Sequence, residues 1–197
     1  MIPRFQKLRD IVYQLNVDLP VTYTELISLL SAETWSPEQI GYGQSNLQYR
    51  YRLSNPVNPI LKHILDEISG PEFKKTIIDQ LYRETSFLGL WGTSPEKMSA
   101  LTVVYSGFVC DRPGHVIRIH TDDRMHVTQG MIYFVNSDDP DQATTFYTSK
   151  NHDDPLRITT GYGTGFMAAN TNNGFHSGHN VGVQNRYSVI FGLRLNL

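Results

Sequence analysis

The chain has 197 residues, of which 40% are hydrophobic and 18% charged, and its formal net charge is -2. That is about one domain with enough apolar residues for a core, which excludes a disordered segment and a cationic nucleic-acid footprint. A single cysteine, Cys110, excludes an intramolecular disulfide, and neither a leader-like apolar run in "MIPRFQKLRDIVYQLN" nor a membrane-length apolar stretch is seen, so a cytoplasmic protein that engages neither nucleic acid nor membrane is expected.

Residues 1–98 hold the helical candidates. "TYTELISLLSAETW" offers Thr22 as an N-cap and Leu26, Leu29 and Leu30 at helical spacing. After the tyrosine-rich connection "YGQSNLQYRYRLSNPV", the stretch "NPVNPILKHILDEIS" opens on Asn-Pro and places Ile60, Leu61, Ile64, Leu65 and Ile68 three and four apart. "PEFKKTIIDQLYRE" repeats the pattern after Gly70, with Phe73, Ile77 and Leu81 as its buried face.

From residue 99 to 197 the texture changes to short strands: "LTVVYSGFVC", "HVIRIH", "VTQGMIYFV", "ATTFYT", "LRITT", "GTGFMAAN" and "RYSVIFGLRL", parted by turn formers such as "DRPG" and "NSDDPDQ". The chain therefore predicts one compact, mainly β domain: a helical and extended region over 1–98 covering an antiparallel roll or two-layer barrel over 99–197. The glycines of "GYGTGF" precede a strand and not a helix, so they predict close strand approach and not a phosphate cradle.

"VIRIHTDDRMH" ends an alternating run on His120 and Asp122. On a continuing strand these two face the same side, Val116, Arg118 and His120 share one face, and Ile117 and Ile119 take the other. Two ligands hold a metal poorly; a two-histidine, one-carboxylate centre needs a second imidazole, and His176 is the candidate, with His179 as competitor. Spacing alone is weak: composition predicts about 0.4 His-x-Asp pairs by chance. The sequence has two, and the second, His152 and Asp154, lies in the polar stretch "KNHDDPLR" and reads as a loop. His63, His115 and His126 are read as structural or surface residues, Asp123 as a turn residue and "SDDPDQ" as a turn.

Ten residues past His176, Arg186 and Ser188 stand one apart on a strongly β-forming run. An arginine facing an interior needs an anion, and a guanidinium grips a carboxylate through two parallel hydrogen bonds. Taken alone, an edge-strand surface arginine is the commoner case.

Together, His120, Asp122, His176, Arg186 and Ser188 resemble the 2-oxoglutarate- and iron(II)-dependent oxygenases, in particular the prolyl-hydroxylase-like branch. "RPGHVIRIHTD" and "VTQGMIYFVN" look like that family's second and third core strands, and "NGFHSGHNVGVQNRYSVIFGL" like its closing hairpin; residues 1–98 carry no matching motif. The resemblance implies a double-stranded β-helix with Fe(II) on His120, Asp122 and His176. The far carboxylate of 2-oxoglutarate would lie on Arg186 and Ser188, with Tyr133 a further hydroxyl. It also implies a hydroxylation that consumes dioxygen and releases succinate and carbon dioxide, on a small-molecule, amino-acid or peptidyl substrate. Halogenating relatives have a small residue in place of the aspartate, so Asp122 favours hydroxylation. Two readings stand beside it: a cupin-like metal enzyme that does not use 2-oxoglutarate, and a non-catalytic jelly-roll binding protein.

Overall fold

The structure is a computed structural model that describes residues 1–37, 50–83, 92–122, 125–136, 138–170 and 174–196. Asp123 and the first half of the tyrosine-rich connection lie outside the described residues. The elements in chain order are β1 (Arg4–Arg9), β2 (Val12–Asn16), α1 (Tyr23–Ala32), β3 (Ser36–Pro37), β4 (Arg50–Leu53), α2 (Pro59–Ser69), α3 (Pro71–Tyr82), α4 (Pro95–Leu101), β5 (Thr102–Asp111), β6 (His115–His120), β7 (His126–Phe134), β8 (Thr144–Tyr147), β9 (Leu156–Arg157), β10 (Thr164–Ala169), β11 (Phe175–Asn180) and β12 (Arg186–Leu195).

The helices form where capping and period agree. The side chains of Thr22, Asn58 and Ser94 each accept a backbone N–H at a helix start, and Pro59, Pro71 and Pro95 sit in first turns where no N–H is needed. Leu26 and Leu30, then Leu61, Ile64, Leu65 and Ile68, then Phe73, Ile77 and Leu81 are buried in one apolar cluster with Phe108, Ile132, Val189, Phe191 and Leu193 of the sheet. The helical faces read from the sequence are therefore the ones that cover the sheet.

Two antiparallel sheets lie beneath. The larger has the order β1-β2-β10-β7-β12-β5-β4-β3 and the smaller β6-β11-β8-β9. From β5 to β12 the chain passes repeatedly between them, so alternate side chains of β5, β7, β10 and β12 face the smaller sheet. Val109, Met131, Tyr133, Phe166 and Ile190 from the larger sheet meet Phe146 and Ile158 from the smaller side in a second apolar cluster. The barrel expected from the sequence is a two-sheet stack: among the described residues no strand is hydrogen-bonded into both sheets.

The first 98 residues supply more than cover. β1 and β2 extend the large sheet beyond β10, and β4 and β3 extend it beyond β5. The polar run "RFQKLR" forms an edge strand, where charged side chains are tolerated and guard the open ladder. Gly165 serves the close approach expected of it: a Cβ there would fall 1.8 Å from the Met131 carbonyl oxygen.

Candidate metal and cosubstrate site

A cavity of about 340 Å³ opens between the two sheets, with His120, Asp122 and His176 in its wall. His120 ends β6 and His176 lies directly opposite it on β11. Their rings are 4.4 Å apart between centroids. Simple alternation would put His120 on the face opposite Ile117. The ladder instead carries a bulge: Ile117 pairs with Gly178 and His120 with His176, so Arg118 and Ile119 together stand against Ser177. That extra residue turns His120 onto the same side as Ile117, and both line the cavity. The face assigned from period two was thus corrected by one inserted residue.

Asp122, just past β6, closes the group. Its Oδ1 lies 3.7 Å from His120 Nε2 and 3.6 Å from His176 Nε2, and one ligand atom from each residue falls within 4.8 Å of the others. His120 Nδ1 lies 2.9 Å from the Arg118 carbonyl oxygen, and His176 Nδ1 lies 3.1 Å from that of Gly174. A protonated Nδ1 donating to these carbonyls leaves each Nε2 with its lone pair toward the cavity, the arrangement a metal-bound imidazole uses. Burial lowers the pKa of both histidines, and the neighbouring His176 lowers His120 further; the neutral form favoured is the one that ligates. Burial pushes the Asp122 carboxyl up, offset in part by His120 and His126.

Gln129 of β7, which sequence reasoning did not single out, supports the group. With its amide nitrogen turned to Asp122, it donates to both carboxylate oxygens at 3.1 Å. Alternation back from Met131 was the available signal. Beside it, Gly192 makes room for Tyr105: a Cβ at Gly192 would meet the Tyr105 hydroxyl oxygen at 2.6 Å. Tyr105 stacks on His126 with centroids 4.9 Å apart.

At the other end of the cavity Arg186 is fully buried. Its Nε and Nη2 donate to Asp111 Oδ2 at 3.1 and 2.5 Å, and its Nη1 donates to the carbonyls of Gln142 and His179 at 3.0 and 2.9 Å. Asp111 also accepts from Arg50 Nε and Nη2 at 2.6 and 3.0 Å. Its pairing follows from register, since Asp111 of β5 stands opposite Arg186 on one side and Arg50 on the other. Burial alone would raise the Asp111 pKa; the two guanidinia overcome this and hold it well below the usual carboxylate range. Four of the five N–H groups of Arg186 are thus used, leaving one on Nη2.

Ser188 and Tyr133 stand opposite one another on β12 and β7. The Ser188 hydroxyl is buried with no hydrogen-bond partner. The Tyr133 hydroxyl donates to Thr144 Oγ1 at 2.8 Å, and Thr144 lines the cavity. His179 is three residues from His176 on a strand and lines a groove on the outer face of the small sheet. His152 and Asp154 lie in an exposed loop at positive φ, 69° and 47°.

No family model and no curated protein matches this sequence. Solved structures do match. A prolyl-4-hydroxylase from Pseudomonas putida aligns with a TM-score of 0.59 at 13% identity, over 95% of this chain and 94% of that one. A prolyl hydroxylase from Trichoplax adhaerens, in complex with a hypoxia inducible factor peptide fragment, gives 0.59 at 11% identity over 94% and 84%. The chain has the fold of the 2-oxoglutarate–Fe(II) oxygenases. The non-heme alpha ketoglutarate dependent epimerase SnoN from nogalamycin biosynthesis shares this oxygenase fold, with a TM-score of 0.52 at 9% identity over 93% and 79%. Structures of this fold thus include both hydroxylases and an epimerase.

Proposed function

We propose that the protein is an iron(II)- and 2-oxoglutarate-dependent dioxygenase that hydroxylates an unactivated C–H bond of a small-molecule, amino-acid or peptidyl substrate. The observation that carries this reading is the convergence of His120 Nε2, Asp122 Oδ1 and His176 Nε2 in one cavity, with both Nδ1 atoms held back by backbone carbonyls. That donor set suits ferrous iron and leaves coordination positions open on one side. The passage of β5 to β12 between two sheets supports a double-stranded β-helix.

With dioxygen, bound iron and 2-oxoglutarate would supply the oxidation, giving succinate, carbon dioxide and the hydroxylated product. The chain's own residues place and shield the reactants. His120, Asp122 and His176 hold the metal, and Gln129 orients the Asp122 carboxylate. Arg186, with its remaining N–H, and the unpartnered Ser188 hydroxyl would receive the far carboxylate of 2-oxoglutarate, while Tyr133 acts through Thr144. Met131, Phe166 and Ile190 line the cavity and keep it partly dry.

One observation favours a second reading, a metal enzyme that does not use 2-oxoglutarate: Asp111 already answers the charge of Arg186. Aerobic incubation of the iron-loaded protein with labelled 2-oxoglutarate separates the two. Carbon dioxide and succinate release above the iron-free control is expected. Firm iron binding without 2-oxoglutarate turnover or binding selects the second reading.

A further inference from the structure

The closed end of the cavity holds one carboxylate, Asp111, between two guanidinia. Arg50 of β4 and Arg186 of β12 both stand opposite Asp111 of β5, so the three form a row across neighbouring strands. Asp111 and Arg186 are 0% exposed and Arg50 is 8% exposed. Arg50 and Arg186 both line the cavity, while the carboxylate is sealed between them.

Were Arg50 absent, Asp111 would act as the counterion of Arg186. An anion entering the closed end would then meet attraction and repulsion of nearly equal size. Arg50 upsets that balance. Its Nε and Nη2 reach both oxygens of Asp111, at 2.6 and 3.0 Å, whereas Arg186 reaches Oδ2 alone. The bidentate fork that suits a carboxylate is thus taken by Arg50. Against burial, which raises the Asp111 pKa, Arg50 does more than Arg186 to hold it down. His115 Nε2 faces the same carboxylate from β6, 3.4 Å from Oδ1. Arg186 keeps the end-on place and one uncommitted N–H.

We propose that Arg50 is a positioning residue for the cosubstrate: by engaging the Asp111 carboxylate from behind, it lets Arg186 hold the far carboxylate of 2-oxoglutarate. The inference rests on the oxygenase reading. It also accounts for the one observation that favours a metal enzyme without 2-oxoglutarate, because the carboxylate beside Arg186 is shared and not exclusive. The first 98 residues, through β4, then set the affinity for a cosubstrate bound on β12.

The test is calorimetric titration of 2-oxoglutarate into the full chain loaded with Mn(II), for wild type, Arg50→Gln, Arg50→Lys and the double variant Arg50→Gln/Asp111→Asn. Arg50→Gln keeps a hydrogen-bonding side chain and removes one positive charge. It should weaken 2-oxoglutarate at least about tenfold, the size expected for one nearby charge at an effective dielectric of about 20. Arg50→Lys should recover part of the loss. The double variant removes one charge of each sign and should return to within about threefold of wild type, a coupling that loosened packing would not produce. Mn(II) affinity, set at the other end of the cavity, should be the same throughout. Unchanged 2-oxoglutarate affinity in Arg50→Gln overturns the proposal, as does a lysine variant or a double variant no tighter than Arg50→Gln. Where the double variant fails to hold Mn(II), the glutamine and lysine variants decide. If the wild type binds 2-oxoglutarate and Arg50→Gln binds it equally, only this inference fails. If the wild type binds Mn(II) and no 2-oxoglutarate, the oxygenase reading fails and the role of Arg50 falls with it.

Discussion

The two ends of the cavity floor are built on opposite electrostatic plans. At the Arg186 end one buried carboxylate sits between two guanidinia in a row fixed by strand register, which leaves one positive charge over. At the Asp122 end a partly buried carboxylate faces two imidazoles whose pKa burial lowers. The first is a folded-in salt bridge, whose worth lies in not being broken. The second carries unspent donor capacity, aimed at a shared point. Burial follows the same division: Arg186 and Asp111 are fully buried, whereas His120 and Asp122 are only partly so, as a site that must admit ligands requires.

Removing a ligand should have the largest effect. His176→Ala is expected to abolish metal binding, and with it any 2-oxoglutarate turnover, because two remaining donors make a poor site. Metal retained at wild-type affinity would show that the three donors do not act together. Calorimetry with Fe(II) under anaerobic conditions, or with Mn(II), reads this directly.

Next comes the answered end. Asp111→Asn leaves Arg50 and Arg186 beside each other without their anion and should cost about 3–5 kcal/mol in chemical denaturation, as breaking a buried pair does. Sign matters here: a carboxyl held below its ordinary value contributes stability that is full above that value, about 3.9, and lost as the pH falls below it toward the folded pKa. Wild type and variant should therefore converge in strongly acid solution. If Arg186 is the cosubstrate anchor, the folded fraction of Asp111→Asn should also need less 2-oxoglutarate, and Arg186→Met more. A variant as stable as wild type would mean that the row contributes nothing net.

How much of this was legible in the residues follows the range of the interactions. Helical faces such as Phe73, Ile77 and Leu81 need only local period, and they are buried as read. The limits of "HVIRIH" and "RYSVIFGLRL" follow from strand chemistry and coincide with β6 and β12. The side taken by His120 was not legible, because a bulge is a property of two paired strands and not of one. The partner of Arg186 was also hidden: Asp111 reads as the end of a strand before a turn, and only the β5–β12 ladder sets it opposite. Arg50 and Arg52 sat in a stretch read as a connection, so the contribution of the first 98 residues to the cavity could not be seen.

A subtler break in the comparison is Gln129→Leu, which keeps the three ligands and removes the donor that fixes Asp122. Outer partners of metal ligands commonly carry 10–100-fold in affinity, so metal should bind about that much more weakly with the fold intact. Gln129→Glu should be no better, since it sets a second carboxylate against Asp122. Unchanged affinity in the leucine variant would mean that Asp122 is held by the metal alone.

The smallest effect belongs to the pair that shares the His-x-Asp spacing and lacks everything else. His152 and Asp154 sit in an exposed loop; His152 packs its ring on Tyr147 at 5.4 Å, and Asp154 pairs with Arg9 at 3.0 Å. Neither faces the cavity. His152→Ala should leave metal affinity unchanged and move Tm by less than about 2 °C, as surface substitutions do. Because the two pairs have the same spacing, this variant set beside His176→Ala isolates what spacing cannot carry: a bulged strand end, an opposing imidazole on β11 and a closed wall behind. Loss of metal in His152→Ala would place the site on the outer loop and remove the reason for assigning any chemistry to the cavity.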